Sequence, residues 1–563
     1  MVLRQSWRRP PAHTAVAIAA AWLVCLSGPL GCAPAEERAD AEDGDGGSDG
    51  GLFGDTGALP GDTQGQADTQ ADTQVDPQDI STNDTKPKDF DGASNPLPGV
   101  LLLGTVLTPS QFYVGQVLIQ GDTITCAEPG QGCQAQAQAV KAKVVDTKGI
   151  LVPGLIDMHN HILFDIFDGD DWLPSQTYLN HNEWPKEAKY GAMLDVKQCL
   201  ENASQGKPNW CPAPYNTKEG HLKCEMNKWG ELKGLIAGTT SIVGLAGASV
   251  PCFHSLARSI DTQYNDLEFD KVQTSALFPP STSAADGVCK NYASGTTQAY
   301  LVHCGEGVDA KSLAEFSLLE TVSTEDGCLL SPNTVLTHGT AFGPAEFAKM
   351  KANGVKLTWS PASNVALYGT TANIPAAIDA GVLISIGPDW SMGGSQNLLD
   401  ELRFADAWDN KHWGNRLSAK DLLMMATLHA AYSLQLHNQI GQIKTGLRAD
   451  LFVIDALATD PYEAVLKATP GEVKLVLVNG VALYGDAALQ AQVTDNPACE
   501  KAEICGRSKF LCVAENSSAD KLGQTMADIK AALEKALLAV DAVTSSDGWN
   551  FAPLTPLVKC KGN

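Results

Sequence analysis

The stretch LVPGLIDMHNHILFD, residues 151–165, decides how the chain is read. An apolar run containing Pro153 and Gly154 ends in His159 and His161, one residue apart. On a strand, residues i and i+2 face the same side with about 6.6–6.8 Å between their Cα atoms. Both imidazoles can therefore converge on one ion at about 2.1 Å from each nitrogen, while Asn160 faces away. A His-x-His pair alone is a weak signal, so its company matters.

Three further apolar runs end in the same manner: AYLVH at His303, TVLTH at His338 and VLISIGPD at Asp389. His303 is followed by Cys304, Gly305 and Glu306. Each residue alone reads as a polar side chain entering a loop after a buried strand; four such ends in this order are a much rarer coincidence. Residues 151–435 alternate apolar runs of four to eight residues (TTSIVGLA, KVQTSAL, VKLTWSP) with helical stretches. That pattern predicts parallel βα units, and the length fits a (β/α)8 barrel, in which function collects at the C-terminal strand ends.

Residues 97–150 and 436–490 are β-rich runs broken by turn residues, the second with the hairpin signal Asn479-Gly480. Beyond 490 the chain reads as cysteine-bearing and irregular, and residues 491–563 then carry one amphipathic helix, with Leu522, Met526, Ile529, Leu533, Leu537 and Val540 as its packing stripe. Residues 1–32 combine a basic start, a short apolar run and a small-residue end, the pattern of an export signal. LGC at 30–32 resembles the lipobox of bacterial lipoproteins, with Pro29 where leucine is usual; the resemblance implies lipidation of Cys32 and a membrane contact through that anchor alone. A plain secretory signal is the alternative, and either predicts an exported protein. Residues 33–96 read as an acidic, self-repelling linker: between 36 and 95 stand 16 Asp or Glu against 3 Lys or Arg, half of the net charge of −25. That charge argues against nucleic acid as a partner.

Of the 15 cysteines, Cys25 and Cys32 fall in the leader and Cys304 beside His303, leaving an even number. None shows a zinc-type Cys-x-x-Cys spacing, so structural disulfides are expected in an oxidising compartment.

The ordered set of PGLIDMHNH (153–161), GTTSIV (238–243), HCGE (303–306), THG (337–339), SPASN (360–364), GPDW (387–390) and NLLDELRFA (397–405) resembles the metal-dependent amidohydrolase superfamily. The likeness is to its branch of cytosine, guanine and S-adenosylhomocysteine deaminases and triazine chlorohydrolases, and it spans about 97–490. The resemblance implies a composite β-sandwich built from the two flanking segments and packed on the barrel. It also implies one divalent metal, zinc with iron as the alternative, held by His159, His161, His303 and Asp389. Asp389 would also take a proton from the attacking water, Glu306 would act as general acid, and His338 would polarise the incoming oxygen or hydrogen-bond the hydroxide. Binuclear relatives close the fourth strand with a carboxylated lysine. KVQTSAL, residues 271–277, has none at its end, which favours a single metal.

The implied activity is hydrolytic deamination of a small heterocycle, with amide, lactam or carbon–halogen hydrolysis as alternatives at the same site. A non-catalytic surface lipoprotein would have no use for so many polar groups at buried strand ends. His181, Trp172 and Trp184, on a long loop after the first strand, line the substrate opening or simply pack; His254 is a weaker candidate for substrate contact. His221, His412, His429 and His437 read as structural or solvated. Cys304 reads as a pocket-wall residue, and the cysteine-bearing insertion 164–226 as a lid or stapled rim. Oligomeric state is not legible.

Overall fold

The computed structural model describes residues 99–560 except 202–207, 218, 245–255, 262–264, 266, 268–270, 277, 516–520 and 545–547. The leader with Cys32, the acidic linker and His254 lie outside the described residues.

The chain enters through β1 (Val100–Leu107), β2 (Phe112–Gln120), β3 (Thr123–Pro129) and β4 (Lys143–Pro153). Along β4, Val145 and Thr147 are buried between exposed neighbours, whereas everything from Gly149 to Pro153 is buried. The strand thus passes from a one-sided sheet into a region covered on both faces, and its sequence changes from KVVDTK to GILVP accordingly. Gly154 then sits where a Cβ would meet Thr240 at 2.3 Å, so only glycine allows the close approach of two strands here.

The middle of the chain supplies β5 (Leu155–Asp157), β6 (Thr239–Ile242), β7 (Arg258–Ser259), β8 (Val272–Ser275), β9 (Ala299–Cys304), β10 (Thr334–His338), β11 (Lys356–Trp359) and β12 (Ile384–Ile386). β5, β6 and β7 form one parallel sheet and β8 to β12 a second, in sequence order. Most residues of these strands are fully buried, as parallel strands covered on both faces must be. Beyond their paired residues, the last and first strands meet: Asp389 N–H donates to the His159 carbonyl at 2.8 Å, and Asn160 and Asp389 form a parallel bridge.

β13 (Leu451–Ile454), β14 (Val473–Val478), β15 (Val481–Asp486), β16 (Glu500–Ile504) and β17 (Arg507–Leu511) complete the chain's strands among the described residues. They join β1–β4 in one nine-stranded sheet ordered β16-β17-β15-β14-β13-β4-β1-β2-β3. The seam between the two ends of the chain is β4 against β13, antiparallel, with Pro153 opposite Leu451. The sheet does not stop near 490, where the sequence suggested irregular chain. Glu500–Ile504 and Arg507–Leu511 form a hairpin across Cys505 and Gly506, both at positive φ. Its charged outward residues hide the alternation that would have marked it. The C-terminal helix runs Met526–Thr544 and buries Ile529, Leu533, Leu537 and Val540 as the stripe requires; Leu522 precedes it.

Disulfides pair Cys126–Cys133, Cys199–Cys211, Cys289–Cys328, Cys499–Cys512 and Cys505–Cys560. Among the described residues Cys304 is the free cysteine, and it is buried.

One buried ion pair ties the parallel strands to the large sheet. Arg258, which opens β7 beside β6, donates to Asp450, which precedes β13, and to Asn479 at 2.9 Å; both charged side chains are 2% exposed. Removing one partner of such a pair strands the other without solvent. Arg258→Ala is therefore expected to lower unfolding free energy by about 3–5 kcal/mol, read from the urea midpoint at constant m.

Candidate active site

The strand ends converge. His159 and His161 follow β5, His303 is the penultimate residue of β9, His338 closes β10, and Asp389 follows β12. His159 Nε2 lies 2.9 Å from Asp389 Oδ1, His161 Nε2 lies 3.4 Å from the same oxygen, and the Nε2 atoms of His161 and His303 are 3.3 Å apart. The imidazole of His338 stands 5.1 Å from that of His159 and 5.0 Å from that of His303, centre to centre. Two overlapping groups, His159 with His161 and Asp389, and His159 with His303 and His338, bring their ligating atoms within 4.8 Å of one another. His338 and Asp389 both adopt positive φ, 74° and 73°, a conformation that costs a non-glycine residue energy and recurs at functional sites.

The donor set suits a divalent metal. His159 Nε2 is buried and makes no hydrogen bond, although a carboxylate oxygen is 2.9 Å away, so its nitrogen is not aimed as a hydrogen-bond donor. The other nitrogen of His303, Nδ1, donates to the Ser275 carbonyl at 3.1 Å, which leaves Nε2 with a lone pair facing His161 Nε2. Two nitrogens each about 2.0–2.1 Å from a tetrahedral ion are about 3.3–3.4 Å apart, the separation found here. Asp389 is oriented by the Ser363 hydroxyl, which donates to Oδ2. Burial depresses the basicity of His159 and His303 to pKa values of about 3, favouring neutral imidazoles, the form that ligates.

Glu306 faces the cluster from its rim. Oε1 accepts from the Tyr368 hydroxyl at 2.7 Å, and Tyr368 accepts from Trp184 Nε1 at 3.0 Å. Oε2 lies 3.7 Å from His338 Nε2 and 3.7 Å from His181 Nδ1. Burial lifts the Glu306 carboxyl to about 7, with Asp389 and Glu315 adding to the rise while His181 and the Tyr368 hydroxyl oppose it. A carboxyl that keeps its proton near neutrality can deliver one.

The six residues expected from the strand ends are thus together. Sequence reasoning left His181 between packing and lining; it bridges two carboxylates, its Nε2 lying 2.9 Å from Glu315 Oε1, and Glu315 in turn accepts from the Gly305 amide at 2.7 Å. Trp172, Trp184, Tyr190 and Phe164 from the insertion pack with Trp390, whose ring centre is 5.6 Å from that of His161. SPASN and GPDW mark the segments of Ser363, Asn364 and Trp390 without singling out these residues, and Tyr368 lies outside every motif read from the sequence. His412 stacks on Trp408 and His437 on Tyr432. Burial pushes the Cys304 thiol well above its usual range, so it offers no nucleophile.

Residues 290–483, which hold three of these strand ends, match the model of the amidohydrolase family. Curated relatives extend the likeness to the amino-terminal side of that segment. A 5'-deoxyadenosine deaminase of Methanobrevibacter smithii is 26% identical over 384 residues, 62% of this chain and 82% of the relative. A 5-methylthioadenosine/S-adenosylhomocysteine deaminase of Syntrophobacter fumaroxidans is 25% identical over 385 residues, 63% of this chain and 84% of the relative. Among solved structures, an adenosine deaminase of Xanthomonas campestris with bound zinc covers 80% of this chain and 100% of its own, with TM-score 0.51 and 16% identity. Atrazine chlorohydrolase from Arthrobacter aurescens TC1, complexed with zinc, covers 68% of this chain and 95% of its own, with TM-score 0.51 and 17% identity. These amidohydrolase likenesses carry the α/β fold.

Proposed function

We propose that the protein is a metal-dependent hydrolase of non-peptide carbon–nitrogen bonds that deaminates a small amino-substituted heterocycle. The observation that carries this reading is the meeting of His159, His161, His303 and Asp389 with a protonatable Glu306 at the rim of one cluster. The deaminase relatives support it. On this reading the eight parallel strands close into a (β/α)8 barrel, with the nine-stranded sheet as the composite sandwich beside it.

His159, His161, His303 and Asp389 would hold one divalent ion, zinc first and iron second. Bound there, the metal would make a water acidic enough to attack near neutrality. Asp389 takes the proton released by that water, since Oδ1 faces the histidine cluster while Oδ2 is held by Ser363. Glu306 gives its proton to the ring nitrogen next to the attacked carbon, drawing electron density away from that carbon. The proton on Asp389 then passes to the departing amine. As the carbon–nitrogen bond breaks and ammonia leaves, the hydroxyl added to the carbon becomes a carbonyl and returns its proton to the Glu306 carboxylate, so that both carboxyl groups end in their starting states. Tyr368 and Trp184 keep Glu306 in place by donating in series.

Export with a lipid anchor at Cys32 is part of the same proposal, supported by the disulfides distributed over the described residues.

The test is metal analysis of the protein with its disulfides formed, followed by an ammonia assay over amino-purines, amino-pyrimidines and amino-triazines. About one zinc or iron per chain and ammonia from at least one class are expected. A protein that neither carries nor gains a transition metal sinks the proposal, and turnover confined to amides or halides redirects it to another hydrolysis at this site.

A further inference from the structure

The roles of the four histidines are not interchangeable, and the hydrogen bonds behind His338 distinguish it from the others. Trp359, buried on β11, has an indole N–H that can only donate, and it donates to Thr371 Oγ1 at 2.6 Å. The Thr371 hydroxyl, having accepted there, donates its own proton to Asn364 Oδ1 at 3.2 Å. With its oxygen committed, the Asn364 amide presents its NH2 group to His338 Nδ1, 2.9 Å away. A nitrogen that accepts carries no proton, so in neutral His338 the proton sits on Nε2. That Nε2 points to the rim of the cluster, 3.7 Å from Glu306 Oε2. His303 is set the opposite way, since its Nδ1 donates to a carbonyl and its Nε2 keeps the lone pair.

We propose that Trp359, Thr371 and Asn364 form a directional relay that fixes His338 as an Nε2–H donor and so keeps it out of the metal's ligand set. All four side chains are buried: Trp359 and Asn364 are wholly inaccessible, and His338 and Thr371 are 1% and 6% exposed. Water is therefore not at hand to reverse the order of donors. The relay residues touch neither metal nor substrate; they are positioning residues acting through His338. The donor they set is aimed where charge develops on the oxygen during attack, so its value lies in the transition state more than in substrate binding. This inference rests on the hydrolase reading for its kinetic part and on the hydrogen-bond directions alone for its structural part.

The experiment uses zinc-loaded protein labelled with 15N-histidine and reads the tautomer of each imidazole by long-range 15N–1H correlation, with His338 assigned by its absence in His338→Gln. The parent should show His338 protonated at Nε2. In Asn364→Asp the carboxylate demands a proton from Nδ1, so the pattern should invert, and kcat should fall by about 100-fold with KM within about threefold. Thr371→Val keeps shape but removes the hydroxyl, freeing the amide to turn; a mixed or inverted pattern and a loss of about tenfold in kcat are expected, with Thr371→Ser restoring both. A parent His338 protonated at Nδ1 overturns the inference while leaving the hydrolase reading intact. A loss of kcat in Thr371→Val with the imidazole pattern unchanged also overturns it, since that outcome makes the chain a matter of packing. A parent that carries zinc and shows the Nε2–H pattern yet releases no ammonia from any substrate class sustains the relay and counts against deamination instead.

Discussion

Asp389→Asn should reduce ammonia release by about 10⁴-fold or more while leaving the fold at least as stable as that of the parent, compared as metal-free proteins. The size follows from two losses at one position. As a proton acceptor the carboxylate supplies the kind of general-base assistance that contributes about 10²–10⁴-fold. As a would-be ligand 2.9 Å from His159 Nε2 and 3.4 Å from His161 Nε2, its charge matters to metal retention. Even residues that only orient ligands cost about 10–100-fold in metal affinity when changed. The opposite sign for stability comes from burial. Desolvation raises the Asp389 carboxyl above its ordinary range, so the metal-free fold carries an ion it would hold more cheaply as a neutral amide. Measuring bound zinc, ammonia release and the urea midpoint on one preparation separates these effects. A variant that keeps its metal and more than a tenth of its activity would show that Asp389 is not where the water's proton goes.

Glu306→Gln is the second large effect: a fall of about 10²–10⁴-fold in kcat with metal content unchanged. Glutamine can still accept from the Tyr368 hydroxyl, so the position remains filled, but it has no proton to deliver at neutral pH. The pH profile adds a signature. Burial has lifted the carboxyl to about 7, and the acid is useful only while protonated. Activity of the parent should be constant below that value and decline as pH rises through it. The residual activity of Glu306→Gln should lack this alkaline limb. An identical limb in both proteins would assign it to another group.

Much of this site was legible before any coordinates, and the reason is periodicity. His159, His161, His303, His338 and Asp389 each end a short apolar run, and runs of that length between helical stretches announce parallel strands whose ends lie together. Glu306 was legible only because it follows His303 at a short distance. Residues that act from behind were not. Thr371 and Trp359 differ in no visible way from other threonines and tryptophans, and Asn364 takes its meaning from Thr371, seven positions away. His181 is held between Glu306 and Glu315, a contact of the insertion with β9's loop and with the helix Ala310–Leu318 that no local pattern encodes. The hairpin of β16 and β17 was missed for a different reason. Its outward residues are Lys, Glu, Arg and Ser, and the alternation is interrupted by Cys505 and Gly506 at the turn.

The seam between β4 and β13 also governs how the molecule can come into being. β4 ends at Pro153 and its partner begins at Leu451, so about 300 residues must follow before that edge is covered. At about 5–20 residues per second the wait is about 15–60 s, whether the chain emerges from a ribosome or a translocation pore. Throughout it, the apolar edge GILVP has no strand to pair with and is open to another chain. Molecules cut short before residue 451 are therefore expected to aggregate rather than to persist as partial folds, while the full chain, in which β17 also covers the edge of β15, should remain dispersed. Light scattering of a nested truncation series would show the step. A chain whose catalytic strand ends are complete by residue 389 must still wait for its last third before any of it is safe in solution.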